Sequence, residues 1–89
     1  MKRRLPLVIV TWVDASTQSG WTDLHEIKAN PVKVKTVGWL LSETDQCVTL
    51  FSSFTQDQAA GEVTTIPAPW VTSIKRLRGN PLAVEGEAA

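Results

Sequence analysis

The sequence predicts a mainly β fold: a small five-stranded barrel with one short inserted helix. Residues 37–54 alternate apolar and polar side chains on both sides of a polar turn, which is typical of a β-hairpin. Gly38 lies inside the first strand of this hairpin, where a glycine marks a bend or a close approach of backbone. Pro67 and Pro69 indicate a single helical turn before a closing strand.

Size and composition indicate one domain. The chain has 89 residues, of which 43% are apolar, and this is enough to form a single core. We expect residues 1–78 to form the small β-barrel domain. We expect residues 79–89 to form a flexible C-terminal tail, because they are turn residues, acids and alanines. Nine basic residues balance nine acidic residues, so attraction to nucleic acid requires a local patch.

The first predicted strand spans residues 5–13 and is apolar on both faces apart from Thr11. A loop of turn-forming residues follows it at 14–20. The later strands are predicted at residues 32–42, 47–54, 62–66 and 70–77.

The inserted helix is predicted between residues 21 and 29. Asp23 and Glu26 have the spacing of a capping box, in which each side chain bonds to a backbone N–H at the start of the helix. Leu24 and Ile27 share one face of this helix. Since a helix of two turns is not stable alone, we expect it to pack on the sheet through these two residues and Trp21.

The single cysteine, Cys47, excludes an intrachain disulfide and suits a reducing cytoplasm. The apolar run at residues 5–10 is short for a signal peptide and is interrupted by Pro6. No segment approaches the roughly 20 apolar residues of a membrane helix. We therefore expect a cytoplasmic protein that does not bind a membrane.

Catalysis is not predicted. His25 is the only histidine, and its position between two acidic helix residues is explained by an exposed polar face. The chain has no nucleophile motif, no glycine-rich phosphate loop and no histidine pair with metal-ligand spacing. The sequence therefore predicts a protein that is not an enzyme and that has no cofactor and no metal.

Tryptophan is frequent, with four residues and no tyrosine in the chain. One explanation is that the tryptophans are the large side chains of a small core. The other is that one or two of them stay exposed and anchor a partner. Trp12 and Trp21 flank the loop at 14–20 and are the best candidates for exposed tryptophans. In a nucleic-acid interface, their rings would stack on bases.

Basic side chains occur in three groups, namely Lys2 to Arg4, Lys33 with Lys35, and Lys75 with Arg76 and Arg78. If the first and last strands pair antiparallel, the two terminal groups form one cationic patch. Alternatively, the groups are solvated strand ends. A patch that contacts phosphate would bind less tightly as salt rises. The predicted binding residues are Trp12, Trp21, Lys33, Lys35, Lys75, Arg76 and Arg78.

The order of the predicted elements resembles that of SH3-like and Sm-like small barrels. The residues that carry the resemblance are Gly38 to Leu41, Val48 to Leu50, Ile66 with Pro67, and Val71, Ile74 and Leu77. They match a glycine-bent strand, its hairpin partner, and a single-turn helix before the closing strand. The resemblance covers about residues 5–78. The inserted helix departs from it, since Sm-like chains open with a helix before their first strand.

A second resemblance is to the small uncharacterised proteins of tailed phages. It rests on the segments TWVDASTQSGWTDLHEIK, VGWLL and IPAPWVTSIKRL. This resemblance implies a phage-encoded protein in the cytoplasm of a host cell, and it implies no established activity.

We therefore expect a non-enzymatic, phage-type binding protein. Its expected partner is a host or phage macromolecule, either protein or nucleic acid, bound through exposed tryptophan and a basic patch. An alternative is a sponge for a small nucleotide-like ligand, as in phage anti-defence proteins, which binds in pockets between subunits. Because small barrels leave strand edges exposed, we also expect a homo-oligomer formed by edge pairing.

Overall fold

The computed structural model describes residues 2–16, 20–27 and 30–86, and within them the fold is mainly β, as predicted. The strands are β1 (Lys2–Leu5), β2 (Leu7–Asp14), β3 (Val32–Glu43), β4 (Cys47–Phe54), β5 (Ala60–Pro67), β6 (Val71–Arg76) and β7 (Leu82–Glu85). Two 3-10 turns of three residues lie at Leu24–Glu26 and Ala68–Trp70. In the part of the chain that is described, no helix has the length and apolar character needed to cross a membrane.

Strands β2 to β6 form one antiparallel sheet in the order β5, β4, β3, β2, β6. These are the five strands that the sequence predicts. The first and the last of them are neighbours, because β2 pairs with β6 as well as with β3. Strands β5 and β6 are the two edges, so within the described residues hydrogen bonds do not close the sheet into a barrel.

The hairpin of β3 and β4 is held at its turn by Thr44. The hydroxyl Oγ1 of Thr44 accepts the backbone N–H groups of Gln46 at 3.2 Å and Cys47 at 3.1 Å, and it donates to the carbonyl oxygen of Cys47 at 3.2 Å. The threonine side chain thus satisfies two backbone N–H groups of the turn. The carbonyl oxygen of Cys47 also accepts the backbone N–H of Thr44 at 2.9 Å.

At Gly38, the backbone of β3 lies close to the backbone of β4. A Cβ atom at this position would lie 2.6 Å from the carbonyl oxygen of Phe51 and 3.0 Å from its carbonyl carbon. The predicted close approach of backbone is therefore confirmed. A register shift between Leu40 and Ser42 follows in the same strand pair, and such irregularities increase the bend and twist of a sheet.

The main core lies on one face of the curled five-stranded sheet. Its buried residues are Val8, Val10, Val48, Leu50 and Ile66, and Trp12, Leu40, Val71 and Ile74 pack against them. Both edge strands contribute to this cluster, so the sheet curls until its edges share one core. Each fully buried leucine or isoleucine side chain stabilises the fold by about 2 kcal/mol.

A second apolar cluster lies on the opposite face of the sheet. Phe51 and Leu5 are almost completely buried there. The Phe51 ring centroid is 5.9 Å from the Trp39 ring and 5.8 Å from the Phe54 ring. The antiparallel ribbon of β1 and β7 contributes Leu5 to this cluster. Trp39 donates its indole N–H to the carbonyl oxygen of Asn80, in the connection before β7.

The C-terminal segment differs from the flexible tail that the sequence predicts. Leu82–Glu85 is a strand that pairs with β1, with Leu82 opposite Leu5 and Val84 opposite Arg3. Pairing is favourable because the apolar side chains of β7 then share one face with Leu5. The last three residues of the chain lie outside the described residues.

The prediction of a helix between residues 21 and 29 is wrong: the described part of this segment forms one 3-10 turn, Leu24–Glu26. Asp23 caps this turn, because its carboxylate Oδ1 accepts the backbone N–H of His25 at 2.9 Å. The chain is extended again at Ile27, so the turn does not continue into a helix. The last two residues of the predicted helix lie outside the described residues.

The expected packing of this segment on the sheet is also wrong. Leu24 is 77% exposed and Ile27 is 54% exposed. Starting a helix is unfavourable, and a short helix requires an apolar face buried against other elements. Because these two side chains and that of Trp21 stay mostly exposed, the segment keeps only the one turn that its capping aspartate supports.

Candidate functional site

One exposed face of strands β3, β2 and β6 brings three lysines together. In an antiparallel ladder, directly opposed residues share a face. Thr11 lies opposite Lys35 on one side and Ser73 on the other, and Ile9 lies opposite Lys75. We call this surface the lysine face; it consists of Ile9, Thr11, Val13, Lys33, Lys35, Val37, Ser73 and Lys75.

The lysine face carries no carboxylate among these eight residues. The nearest acid along β2, Asp14, lies opposite Val32 and so alternates to the other face. Strand β2 lies between Lys35 and Lys75, so the two are two inter-strand spacings and two residues apart, which places their Cα atoms about 12 Å apart. Repulsion between charges at this distance is largely screened by salt, so each lysine can contact a separate anionic group.

A second surface adjoins the lysine face at Val13. Together with Asp14, Pro31, Pro69 and Trp70, Val13 lines a shallow hollow of about 380 Å³, which we call the tryptophan hollow. Trp70 is 43% exposed and stacks on Trp12, with ring centroids 6.4 Å apart and planes at 15°. The stack holds the Trp70 ring in one orientation at the surface.

The two tryptophans that the sequence predicts as binding residues differ in their exposure. Trp21 is fully exposed. Trp12 is half-buried, because it stacks on Trp70 and its indole N–H donates to Thr36 Oγ1 at 2.9 Å. Trp70 is exposed although it was not among the predicted binding residues. The two prolines beside it, which hold it in a 3-10 turn at a sheet edge, are the signal that could have identified it.

The first and last predicted strands do pair antiparallel, as β2 with β6. The first basic group, however, lies on a separate strand. Strand β1, which contains Lys2, Arg3 and Arg4, pairs with β7 rather than with β6. Arg76 lies opposite the buried Val8 and therefore on the other side of β6 from Lys75. Arg78 lies in the connection between β6 and β7. Register instead brings Lys75 together with Lys33 and Lys35, which the sequence places in a separate group.

His25 and Cys47 lie apart from both surfaces. His25 is exposed in the first 3-10 turn, and Cys47 is half-buried at the start of β4, with Thr44 Oγ1 at 3.9 Å from its sulfur. Within residues 2–16, 20–27 and 30–86, no three His, Cys, Asp or Glu side chains are grouped so that they could hold a metal ion.

No protein-family model, curated protein or solved structure matches this chain. The resemblances to SH3-like barrels and to tailed-phage proteins therefore stay predictions. The functional argument rests on the geometry and charge of the surfaces described above.

Proposed function

We propose that this chain is a non-enzymatic, cytoplasmic binding protein that binds single-stranded nucleic acid on the lysine face. The observation that carries the proposal is the gathering of Lys33, Lys35 and Lys75 on one exposed face without a carboxylate. Lysine ammonium groups bind phosphates as point charges, and the release of counterions from the nucleic acid makes this contact favourable.

The tryptophan hollow supports a single strand as the ligand rather than a duplex. A single strand presents unstacked bases, and stacking of a base on an aromatic side chain contributes about 1–3 kcal/mol. Trp70 offers a ring surface next to the lysine face. The small side chains of Thr11 and Ser73 between the lysines allow a strand to lie close to the sheet.

Titration of a fluorescently labelled 12-nucleotide single strand, followed by anisotropy at several salt concentrations, tests this proposal. Three phosphate contacts predict a slope of about −2 in a plot of log K against log salt concentration. We expect Lys35→Gln to reduce the steepness of this slope by about 0.7 and to weaken binding about fivefold at low salt.

Lys2→Gln is the matched control, because Lys2 lies opposite Glu85 in the ribbon, away from the lysine face. It should leave the slope and the affinity unchanged. Arg76→Gln should have a smaller effect than Lys35→Gln. Equal losses in Lys2→Gln and Lys35→Gln, or no binding by the unmodified chain at low salt, would contradict the proposal.

A second candidate function is binding of a protein partner through Trp21. Its side chain is fully exposed, and the exposed Leu24 follows it in the turn capped by Asp23. Exposed tryptophans of this kind often dominate the free energy of a protein interface. We expect a partner captured from host cells to be lost with Trp21→Ser and retained with Lys35→Gln at any salt concentration. Retention by Trp21→Ser would exclude this candidate.

The fold part of the proposal is an SH3-like or Sm-like small barrel. The strand order, the 3-10 turn between β5 and β6, and the core shared by both edge strands support it. The free edges of β5 and β6 support a homo-oligomer formed by edge pairing. The phage setting rests on the sequence resemblance alone.

A small nucleotide-like ligand bound between subunits remains the alternative to macromolecular binding. Native mass spectrometry of protein purified from phage-infected cells tests both the oligomer and this ligand. A closed oligomer that retains a few hundred daltons for each interface would support them, whereas a monomer without added mass would contradict both.

A further inference from the structure

A cavity lies between the β1 and β7 ribbon and the hairpin of β4 and β5. Its volume is about 410 Å³, which is within the range of small-molecule sites in proteins. We call it the ribbon cavity. Its apolar lining consists of Leu5, Leu41, Phe51, Phe54 and Val84.

Arg3 is the cation of the ribbon cavity. In the ribbon, Arg3 lies opposite Val84 and Leu5 lies opposite Leu82, so these side chains form the row that faces the sheet. Lys2 and the other arginine of β1 belong to the outward row.

The guanidinium of Arg3 is oriented by the sheet. One terminal nitrogen donates to the carbonyl oxygen of Leu41 at 3.2 Å. A guanidinium carries five N–H donors in a rigid fork, so this bond positions the group and leaves donors for a ligand. Planar anions such as carboxylates match this fork with two parallel hydrogen bonds.

Gln58 contributes a second set of donors to the same cavity. The backbone N–H of Glu85 donates to Gln58 Oε1 at 3.0 Å. This bond identifies the oxygen of the side-chain amide, so the amide nitrogen carries two N–H groups that have no part in it. Glu85 also lines the cavity. It lies opposite Lys2, in the row of the ribbon that alternates with Arg3 and Val84. The side-chain donors that the cavity offers are those of Arg3 and Gln58, and donors bind anions.

We propose that the ribbon cavity binds a small amphipathic carboxylate. The carboxylate head group pairs with Arg3 and Gln58, and the apolar body contacts Phe51 and Phe54. The combination of one oriented arginine with a mainly apolar lining selects a single negative charge attached to an apolar chain, and it disfavours the corresponding neutral alcohol. This site is separate from the lysine face and does not depend on the function proposed for it.

Isothermal titration with decanoate, and with decanol as its neutral counterpart, tests this site. We expect one decanoate for each chain, and decanol to bind at least about tenfold more weakly, because it cannot form the charge-assisted pair. Trp39 lies against Phe51, so its fluorescence provides a second signal for occupation of the cavity.

Arg3→Gln is expected to weaken decanoate binding about tenfold while it keeps a donor for the carbonyl of Leu41. Arg4→Gln is the matched control, since Arg4 is the adjacent cation in the outward row, and it should bind decanoate as tightly as the unmodified chain. Ala60→Trp fills the cavity without a change in charge, and it should abolish binding.

Equal affinity for decanoate and decanol would overturn the proposal, as would equal losses in Arg3→Gln and Arg4→Gln or full binding by Ala60→Trp. The thermal unfolding midpoint of each variant is measured in parallel, so that loss of binding is assigned to the cavity only when the fold is retained. Oligonucleotide binding on the lysine face should be the same in all three variants.

Discussion

Gly38→Ala is expected to destabilise the protein by about 3 kcal/mol, because it forces two backbones apart. The added methyl carbon would lie 2.6 Å from the carbonyl oxygen of Phe51, and the next nearest atom is also backbone. A flexible side chain could rotate away, but a strand held by a hydrogen-bond ladder on both sides cannot. Urea unfolding followed by tryptophan fluorescence measures the change in the free energy of unfolding.

Gly61→Ala is the matched control for this substitution. Gly61 also lies in a strand, but a Cβ atom there would lie 3.3 Å from the Cβ of Ser53, so a shift of only a few tenths of an ångström is needed to relieve the contact. We expect a loss below about 1 kcal/mol. If both substitutions cost the same, the close approach at Gly38 is not what requires glycine.

Leu50→Ala is expected to destabilise the protein by a similar amount, about 3 kcal/mol, through loss of apolar burial and the cavity left behind. Leu50 is 1% exposed and lies in the middle of the main core, which both edge strands share. The curled sheet therefore loses packing at its centre. Chemical unfolding measures the loss, and the slope of the transition shows whether the denatured or native state has also changed compactness.

Leu24→Ala makes the same chemical change at an exposed position and serves as the control. Because the Leu24 side chain is mostly exposed, we expect the free energy of unfolding to change by less than about 0.5 kcal/mol. A loss as large as that of Leu50→Ala would mean that the segment packs on the sheet after all.

The strands could be predicted from the sequence because their signal is local. Alternation with a period of two, and the turn residues between strands, can be recognised from a few neighbouring residues. The end of β3, Val32–Glu43, differs by one residue from its predicted end. The role of Gly38 was predictable for the same reason, since a glycine inside an alternating strand has few explanations.

The ribbon and the short turn could not be predicted in this way. The alternation of Leu82 and Val84 is too short to distinguish a strand from a tail, and its partner β1 lies at the other end of the chain. The capping residue Asp23 correctly predicts where a turn begins. Whether that turn grows into a helix depends on burial of its apolar face, which the local sequence does not contain.

The candidate site also combines properties that the local sequence predicts with properties that only long-range contacts decide. The sequence identifies Lys33, Lys35 and Lys75 as basic residues that could bind, because residue type is a local property. Their common face follows from the register of β2 with its two neighbours, in which Thr11 lies between Lys35 and Ser73. Likewise, the orientation of the Trp70 ring at the surface follows from its stack on Trp12, a contact between distant parts of the chain.

Residue type and local periodicity thus specify the strands, the turns and the chemistry that the side chains carry. Long-range pairing, the curl of the sheet and the ribbon specify which side chains share a surface and which are covered. The physical reason is that alternation and capping act over a few residues, whereas register and burial depend on contacts between segments far apart in the chain.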